Sequence, residues 1–291
     1  MNHYVLFVLL IFASACVPTV PPIPNPTNPT DPTDPGNPPN KPTPVPNPPP
    51  LSTYWRPVPN LRFQILKEDD GDYTRQLKNG TNVVTIEAVK DDYRDLKNQV
   101  NAIHAYNVKV ICYHSLSYEP WRSDIGQFPS SAKGKKMQGW DEWWSDTRTS
   151  SAAHPFWDRR YEQFAKAGCD CVEDDNEVDS ADNETGFPLS KAESAASNLL
   201  RARTAHDLGM CHIAKNNPGM SSDYAKNSDG VFIEEAQKYG ERQDYLPWKS
   251  AGKFAAMIEY SSSGCQPYSG FSVQYHSDGD YFSGVNYKIC D

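Results

Sequence analysis

An acidic run at residues 172–179 holds the densest group of ionisable side chains in the chain. It reads V-E-D-D-N-E-V-D and places five carboxylates in eight residues. Carboxylates this close repel one another, and the repulsion raises the pKa of some of them. Two carboxylates of unequal pKa can flank a glycosidic bond, where one protonates the leaving oxygen and the other acts as base or nucleophile at the anomeric carbon. Glycoside hydrolysis is therefore one chemistry that this run can support.

Two other interpretations of the acidic run stay open. Calcium takes several oxygen ligands, but the EF-hand loop needs a glycine at its sixth position and a glutamate at its twelfth. Counted from Asp170 or from Asp174, the sequence does not supply both. A solvated acidic loop is the second alternative. We expect no metal and no organic cofactor, because glycoside hydrolysis of this kind needs neither.

Alternating strands and helices must position these side chains. Short β-rich runs predict eight strands, at Arg62–Leu66, Asn82–Ala88, Val108–His114, Asp170–Asp174, Met210–Lys215, Gly230–Glu234, Phe254–Glu259 and Phe271–Tyr275. Amphipathic patterns predict helices at Asp92–Tyr106, Asp158–Ala167 and Ser190–Leu208, the last opened by a Ser190 and Glu193 capping box. Eight such units suit a (β/α)₈ TIM barrel. A doubly wound sheet is the alternative, but no Gly-x-Gly-x-x-Gly follows the first strand.

Polar residues stand at the ends of six of the predicted strands. In a barrel all C-terminal strand ends meet at one mouth, which is where active sites lie. The residues expected at this rim are Glu87, Tyr113, His114, Asp174, Asp175, Asn176, Lys215, Asn216, Glu234, Glu235, Glu259 and Tyr260.

Asp175 and Glu234 are the two rim carboxylates that best suit a pair. They end the fourth and sixth strands, close enough across a barrel mouth to bracket one sugar. Tyrosine and tryptophan offer faces for sugar rings, and Arg122, Lys215 and Asn216 offer donors for hydroxyl groups.

The first 50 residues have a different composition from the rest. Residues 1–15 predict a signal peptide, with the apolar stretch Tyr4–Phe12 followed by Ala-Ser-Ala. The next residue, Cys16, stands in a context that resembles a bacterial lipobox, so lipid anchoring at Cys16 and plain secretion stay open. Residues 16–50 hold most of the 25 prolines in Asn-Pro-Thr and Asp-Pro-Thr units, which predicts a disordered linker. Residues 51–291 are left for the barrel.

The net charge and the apolar runs of the chain limit the classes of partner that we expect. A formal net charge of −9 argues against nucleic acid as a partner. Beyond the first 15 residues no apolar run approaches the ~18 residues that cross a bilayer. We expect a secreted or cell-surface monomer, whose only membrane contact is a lipid anchor at Cys16.

Six cysteines remain once Cys16 is set apart. An even count in an exported chain permits disulfides, and six cysteines allow 15 pairings. A bond between Cys265 and Cys290 would hold the C-terminal segment in place. Zinc is the competing interpretation, although Cys169-x-Cys171 does not have the spacing of a zinc knuckle.

The segment around the third predicted strand carries a family resemblance. It reads V-I-C-Y-H-S from Val110, S-Y-E from Ser117, W-R from Trp121 and then Asp124. This resembles the V-I-C-Y-F-S…S-x-E-x-W-R-x-D signature of glycoside hydrolase family 114, the endo-α-1,4-polygalactosaminidases, which have a TIM barrel fold. Further matches follow in the family's order between residues 55 and 260: Trp55, Pro57, Gln64, Gly139-Trp140, Glu142, Trp144, Asp146, Gly168-Cys169-Asp170, Val172-Glu173, Asp175-Asn176, Asp179, Gly186-Phe187, Ala205-His206, Lys215-Asn216 and Glu259-Tyr260.

Carried onto matching positions, the resemblance implies that Asp175 and Glu234 are the catalytic carboxylates. It also implies that Tyr113, Glu173, Asn176, Lys215, Asn216 and Glu259 line the site. Together with Glu87, Arg122 and Tyr260 they make up the predicted substrate-binding residues.

Three departures from the family pattern concern the same region. Glu177 resembles a one-residue insertion in the E-x-D-N-x-D motif. Ala236 and Arg242 stand where the family has two cysteines of a disulfide, and Glu87 stands where it has aspartate. The last two departures bear on substrate fit.

We therefore expect an endo-acting glycoside hydrolase that cleaves α-1,4-linked galactosamine-containing polysaccharide with a carboxylate pair, Glu234 being the acid by hypothesis. A non-catalytic polysaccharide-binding barrel and a glycosidase for a different extracellular glycan are the alternatives. Ammonium groups of a partly deacetylated polymer suit an acidic mouth. The carboxylates expected there are Glu87, Glu173, Asp174, Asp175, Glu234, Glu235 and Glu259.

Overall fold

The computed structural model describes residues 53–67, 73–89, 93, 95–178, 184–277 and 287–290, all within one unit that spans Pro48–Asp291. The predicted signal peptide, the linker over residues 16–50 and Cys16 lie outside the described residues. Within the described part, no helix has both the length and the apolar character that a membrane span requires.

Nine of the eleven described strands form one sheet. The strands are β1 (Phe63–Leu66), β2 (Val83–Glu87), β3 (Lys109–Ser115), β4 (Lys133–Lys136), β5 (Trp143–Ser145), β6 (Cys171–Asp175), β7 (Cys211–Lys215), β8 (Gly230–Glu234), β9 (Phe254–Glu259), β10 (Ser272–His276) and β11 (Tyr287–Ile289). The sheet order is β1-β2-β3-β6-β7-β8-β9-β10-β11, parallel throughout except for β11, and β4 and β5 pair separately as an antiparallel hairpin. The eight predicted strands are thus confirmed, each shifted by at most one residue at either end.

Side-chain hydrogen bonds join the last parallel strand to the first. Ser272 Oγ on β10 donates to the backbone oxygen of Leu61 at 2.8 Å, and Gln274 Nε2 donates to that of Phe63 at 2.7 Å. These contacts bring β10 beside β1 and curl the sheet around a common interior. The expected (β/α)₈ architecture is confirmed.

Helices pack outside the curled sheet. They are α1 (Tyr73–Gln76), α2 (Leu96–His104), α3 (His154–Ala167), α4 (Lys191–Asp207), α5 (Ser221–Asn227), α6 (Ala236–Tyr239) and α7 (Leu246–Ser250). Helix α4 begins at the predicted capping box, in which Ser190 and Glu193 satisfy each other's backbone N–H. Helix α3 begins four residues before the predicted Asp158, because Pro155 fits its first turn, where no backbone donor is needed. Gly168 ends α3 in the left-handed region, at φ 93°.

Strand pleating divides the core into an inner and an outer layer. Phe63, Ile65 and Ile213 pack inside the curled sheet with Phe232 and Phe254. The alternate residues of the same strands face the helices: Val84, Val110 and Val172 pack with Val100 and Phe164. Because successive side chains point to opposite faces, the inward positions at the ends of the strands fall to Lys67, Glu87, Tyr113, Glu173, Asp175, Lys215 and Glu234.

All six described cysteines form disulfides, which settles the choice between disulfides and zinc. The pairs are Cys112–Cys169, Cys171–Cys211 and Cys265–Cys290. The last is the predicted bond. The second joins facing positions on the neighbouring strands β6 and β7, which are the strands that carry Asp175 and Lys215.

Asp174 lies on the opposite face of β6 from Asp175. It is fully buried against the helices, with its oxygens 2.7 Å from His114 Nε2 and 3.0 Å from His212 Nε2, and Arg201 Nε of α4 donates to it at 2.6 Å. The rim positions predicted for Asp174 and His114 are therefore wrong, because strand pleating turns both away from the barrel interior. Burial opposes ionisation of Asp174, but the two histidines outweigh it and hold its pKa well below the ordinary value.

Replacing Arg201 tests how much this outer network stabilises the fold. Arg201 also donates to Glu177, so Arg201→Leu leaves two buried carboxylates without their cation. We expect the free energy of unfolding, measured by urea denaturation, to fall by about 3–5 kcal/mol. Arg203→Leu, on the exposed side of α4, is the matched control and should leave the unfolding midpoint nearly unchanged. Equal midpoints for the two variants would contradict the prediction.

Candidate active site

One buried lysine bridges the two predicted catalytic carboxylates. Lys215 Nζ, at the end of β7, lies 3.4 Å from Asp175 Oδ1 at the end of β6 and 3.4 Å from Glu234 Oε2 at the end of β8. The two carboxylate oxygens are therefore no more than twice 3.4 Å apart. Three adjacent parallel strands present these groups at one level of the barrel mouth, so the structure brings the predicted pair together.

Asp175 is held by three donors. Besides the contact with Lys215, Tyr113 donates its hydroxyl to Oδ2 at 2.7 Å, and the backbone N–H of Asn176 donates to Oδ1 at 2.9 Å. Burial opposes ionisation of Asp175. The positive charges of Lys215 and Lys67 outweigh it and lower the pKa of Asp175 to about 2. This carboxylate stays ionised over the whole physiological pH range.

Glu234 has its own set of donors. Tyr260 donates its hydroxyl to Oε1 at 2.7 Å, and Asn216 Nδ2 donates to Oε2 at 3.2 Å. Burial and the negative charge of Asp175 both raise the pKa of Glu234, but Lys215 keeps it below the ordinary value. Both carboxyl groups of the pair therefore have pKa values below their ordinary range.

Left-handed residues follow the strands that carry the pair. Asn176 has φ 61° and Asn216 has φ 51°, a conformation that asparagine tolerates better than most residues. The turn after β7 lets Asn216 bond Glu234 twice, because its Oδ1 also accepts from the backbone N–H of Glu234 at 2.8 Å. The predicted Asn176 and Asn216 thus contact the pair directly.

A second buried lysine lies deeper in the barrel. Lys67 and Lys215 each place Nζ 3.7 Å from Glu173 Oε1, and Lys67 Nζ lies 3.3 Å from the centre of the Tyr113 ring. Burial lowers the pKa of Lys67 and raises that of Glu173. Sequence reasoning missed Lys67. The signal was its spacing, since it continues the inward alternation after Phe63 and Ile65.

The predicted residues Glu87 and Arg122 form an ion pair beside Tyr113. Arg122 donates to Glu87 Oε2 at 2.9 Å and to Glu119 Oε1 at 2.6 Å. Burial raises the pKa of Glu119 to about 7, although Arg122 opposes the shift. Glu119 was also missed as a site residue, and its place in the S-Y-E motif was the available signal.

Glu142 approaches the pair from the β4–β5 hairpin. Ser117 donates its hydroxyl to Glu142 Oε2 at 2.5 Å, and Asn176 Nδ2 lies 3.4 Å from the same oxygen. Burial raises the pKa of Glu142, and the charge of Asp175 adds to the shift. A third carboxylate therefore stands close to the Asp175 side of the site.

Glu259 lies apart from the pair. It occupies an outward position of β9, and its Oε1 accepts from the backbone N–H of Gln237 at 2.8 Å. Arg242 stands 3.8 Å from the same oxygen and donates to the backbone oxygens of Gly264 and Gln266. Arg242 thus anchors the segment that follows β8.

Exposed tryptophans flank the mouth. Trp121 precedes Arg122 and is 54% exposed, and Trp140, in the hairpin turn, is 61% exposed. Lys133 covers the ring of Trp143, with its Nζ 3.9 Å from the ring centre. Sugar stacking by the group Trp140–Trp144 therefore rests on the exposed Trp140.

One group of described residues has the composition of a metal site. Asp174, Glu177 and His212 offer ligand atoms that lie within 4.8 Å of one another. Arg201 bonds both carboxylates, so a cation would have to displace its guanidinium. These residues fit an arginine-centred network better than an ion.

Comparison with known proteins points to carbohydrate hydrolysis. The sequence profile of glycoside-hydrolase family GH114 matches residues 46–282. The structure is similar to that of Aspergillus fumigatus Ega3 in complex with galactosamine, with a TM-score of 0.69 and 25% identity over 82% of this chain and 98% of Ega3. It is also similar to the glycoside hydrolase domain of PelA from Pseudomonas aeruginosa, with a TM-score of 0.59 and 10% identity over 78% of this chain and 97% of that domain. No curated protein matches the chain.

Removing the bridging charge tests the electrostatics of the pair. In Lys215→Met the repulsion between Asp175 and Glu234 is no longer offset, so we expect the pKa of Glu234 to rise relative to that in the unsubstituted protein. A titration followed by NMR of the side-chain carboxyl carbons measures it. Lys238→Met, which removes a half-exposed lysine paired with Glu235, is the control. An unchanged Glu234 titration in Lys215→Met would mean that the lysine does not set the charge of the pair.

Proposed function

Since the chain belongs to glycoside-hydrolase family GH114 and is a glycoside hydrolase, we propose that it cleaves α-1,4-linked galactosamine-containing polysaccharide internally. Asp175 and Glu234 are the proposed catalytic carboxylates. The observation that carries this assignment is the pair of 3.4 Å contacts that Lys215 makes with both of them at the barrel mouth. The galactosamine complex of Ega3 supports the choice of sugar.

The environments of the two carboxylates support different roles. Asp175, with a pKa of about 2, remains an anion and is suited to attack or stabilise the anomeric centre. Glu234, whose pKa is raised by the charge of Asp175 and lowered by Lys215, is proposed to protonate the glycosidic oxygen. The charge of Asp175 raises the pKa of Glu234, so loss of that charge in a glycosyl ester would lower it and convert Glu234 from acid to base.

The upper limit on the separation of the pair leads us to propose retention of configuration. Retaining glycosidases hold their carboxyl groups about 5–5.5 Å apart, whereas inverting enzymes leave about 6.5–9.5 Å for a water molecule. Because Lys215 Nζ stands 3.4 Å from an oxygen of each group, those oxygens can be separated by little more than the lower limit of the inverting range. We therefore propose that Asp175 is a nucleophile that forms a covalent intermediate.

The polymer is proposed to be extracellular. The sequence of residues 1–15 supports export, and Cys16 supports anchoring of part or all of the population to a membrane. The aromatic surfaces of Trp121 and Trp140 suit a chain of sugars that extends beyond the pair. Glu87, Tyr113, Arg122, Glu173, Asn176, Lys215, Asn216, Glu259 and Tyr260 remain the predicted substrate-binding residues, and Glu259 has the weakest support because its carboxylate holds Gln237.

Hydrolysis of purified α-1,4-galactosaminan tests the function and the pair together. We expect the wild-type protein to release reducing ends, and Asp175→Asn and Glu234→Gln each to lower the rate by about a hundredfold to ten-thousandfold. Glu162→Gln, an exposed carboxylate on α3 paired with Lys166, is the control and should keep full activity.

The alternatives give different results in the same experiment. A binding barrel would retain the polymer without releasing reducing ends, and its affinity would survive both pair substitutions. A glycosidase for another glycan would leave galactosaminan intact and cut a different polymer of an extracellular panel. Either result would reject the proposed function.

The stereochemistry of the first product tests the covalent intermediate. We expect proton NMR of the reducing ends released early in the reaction to show the α anomer, before mutarotation forms the β anomer. An aged sample, in which mutarotation is complete, supplies the reference spectrum of the equilibrated anomers. Initial release of the β anomer would mean inversion, with a water molecule between substrate and base in place of a nucleophilic Asp175.

A further inference from the structure

Each of the seven carboxylates expected to make the mouth acidic has a cation close by. Among the described residues, the pairs are Glu87 with Arg122, Glu173 with Lys67 and Lys215, Asp174 with Arg201, Asp175 and Glu234 with Lys215, Glu235 with Lys238, and Glu259 with Arg242, all at 3.8 Å or less. A carboxylate that already has a cation gains little from a second one. A carboxylate with no cation close by is therefore the group best placed to receive the ammonium of a sugar.

Glu142 differs from these carboxylates. No lysine, arginine or histidine of the described part of the chain lies within 4 Å of its oxygens, and both of its hydrogen bonds, from Ser117 and Asn176, reach Oε2. Oε1 accepts no hydrogen bond from a described residue. The side chain is only half-buried. Glu142 is thus a carboxyl group that receives hydrogen bonds from described residues on one oxygen and none on the other.

The position of Glu142 relates it to the pair. Asn176 connects them, because its side chain lies 3.4 Å from Glu142 Oε2 while its backbone N–H donates to Asp175 Oδ1. Asn176 Nδ2 also donates to Ser115 Oγ at 2.8 Å, which fixes the amide between the two carboxylates. A sugar bound against Asp175 therefore has Glu142 close to it, across the Asn176 side chain.

We propose that Glu142 is a specificity-determining residue that binds the ammonium group of an amino sugar held at Asp175, so that the enzyme selects free-amine units over N-acetylated ones. This inference rests on the proposed function. An ammonium supplies the missing cation and donates a charge-assisted hydrogen bond to Oε1. An acetamide carries no charge and is larger, so it leaves Glu142 uncompensated and partly desolvated, which costs binding free energy.

The test compares two charge-removing substitutions in the same hairpin. Glu142→Gln keeps the shape of the side chain and removes its charge. Asp141→Asn makes the same change one residue away, at an exposed aspartate that bonds Lys136. Galactosamine oligomers and their N-acetylated counterparts are the substrates, with KM and kcat measured for each variant. Loss of a charge-assisted contact should raise the KM of Glu142→Gln for free-amine oligomers about tenfold or more, with KM for acetylated oligomers changed less than about twofold.

A binding measurement separates this inference from the proposed function. Calorimetric titration of galactosamine oligomers into Glu234→Gln, with and without Glu142→Gln, reports affinity without cleavage, and thermal unfolding checks that each variant is folded. We expect the double variant to bind about tenfold more weakly, and Asp141→Asn to match the parent. If the wild-type protein binds galactosamine oligomers but does not cleave them, the proposed function fails. The titration still decides whether Glu142 binds the amine. Equal losses of kcat on both substrates, unchanged affinity in the double variant, or no galactosamine binding at all would each overturn the inference.

Discussion

The contact of Lys215 with two carboxylates is the interaction on which the arrangement of the site depends. Asp175 and Glu234 are close enough that their charges would repel strongly in a buried position. A cation between them makes ionisation of both compatible with burial. Lys215 can stand there because β6, β7 and β8 are neighbours, and because all three strands end with an inward-facing residue at one level. The order of the sheet and its pleat therefore determine the chemistry of the mouth.

The pleat also gives β6 two charged faces. Asp175 faces Lys215 inside the barrel, whereas the preceding Asp174 faces Arg201 and two histidines among the helices. Each face has its own cation, so removal of either cation would leave a buried carboxylate of this strand without its partner. The position of Asp175 consequently depends on α4 as well as on β7, although no residue of α4 is predicted at the mouth.

Strand positions could be predicted from sequence far better than side-chain directions. Short apolar runs bounded by polar residues located all eight parallel strands, and the Ser190 capping box located α4. Strand ends were then treated as if every terminal side chain reached the mouth, which failed for Asp174, His114 and Glu259. Lys67 was missed because it opens the polar run K-E-D-D-G-D, in which the sequence does not distinguish the one residue that continues the inward alternation of β1. The β4–β5 hairpin was missed because K-G-K-K in β4 has no apolar alternation, and the disulfide pairing required distances that no spacing supplies.

The charge of the mouth was likewise harder to predict from sequence than the number of acidic residues near it. Counting acidic residues at the strand ends predicts a mouth that is strongly negative, yet the described lysines and arginines pair with each of them. The net charge of −9 still favours approach of a cationic polymer over distances comparable to the Debye length, about 8 Å at physiological ionic strength. Recognition at contact distance depends instead on which carboxylate has no cation of its own. Since Glu142 comes from the hairpin rather than from a barrel strand, selectivity for the amine is carried by an element separate from the one that carries the catalytic pair. Substitutions in the β4–β5 hairpin can then change specificity without altering the contacts of Lys215 with Asp175 and Glu234.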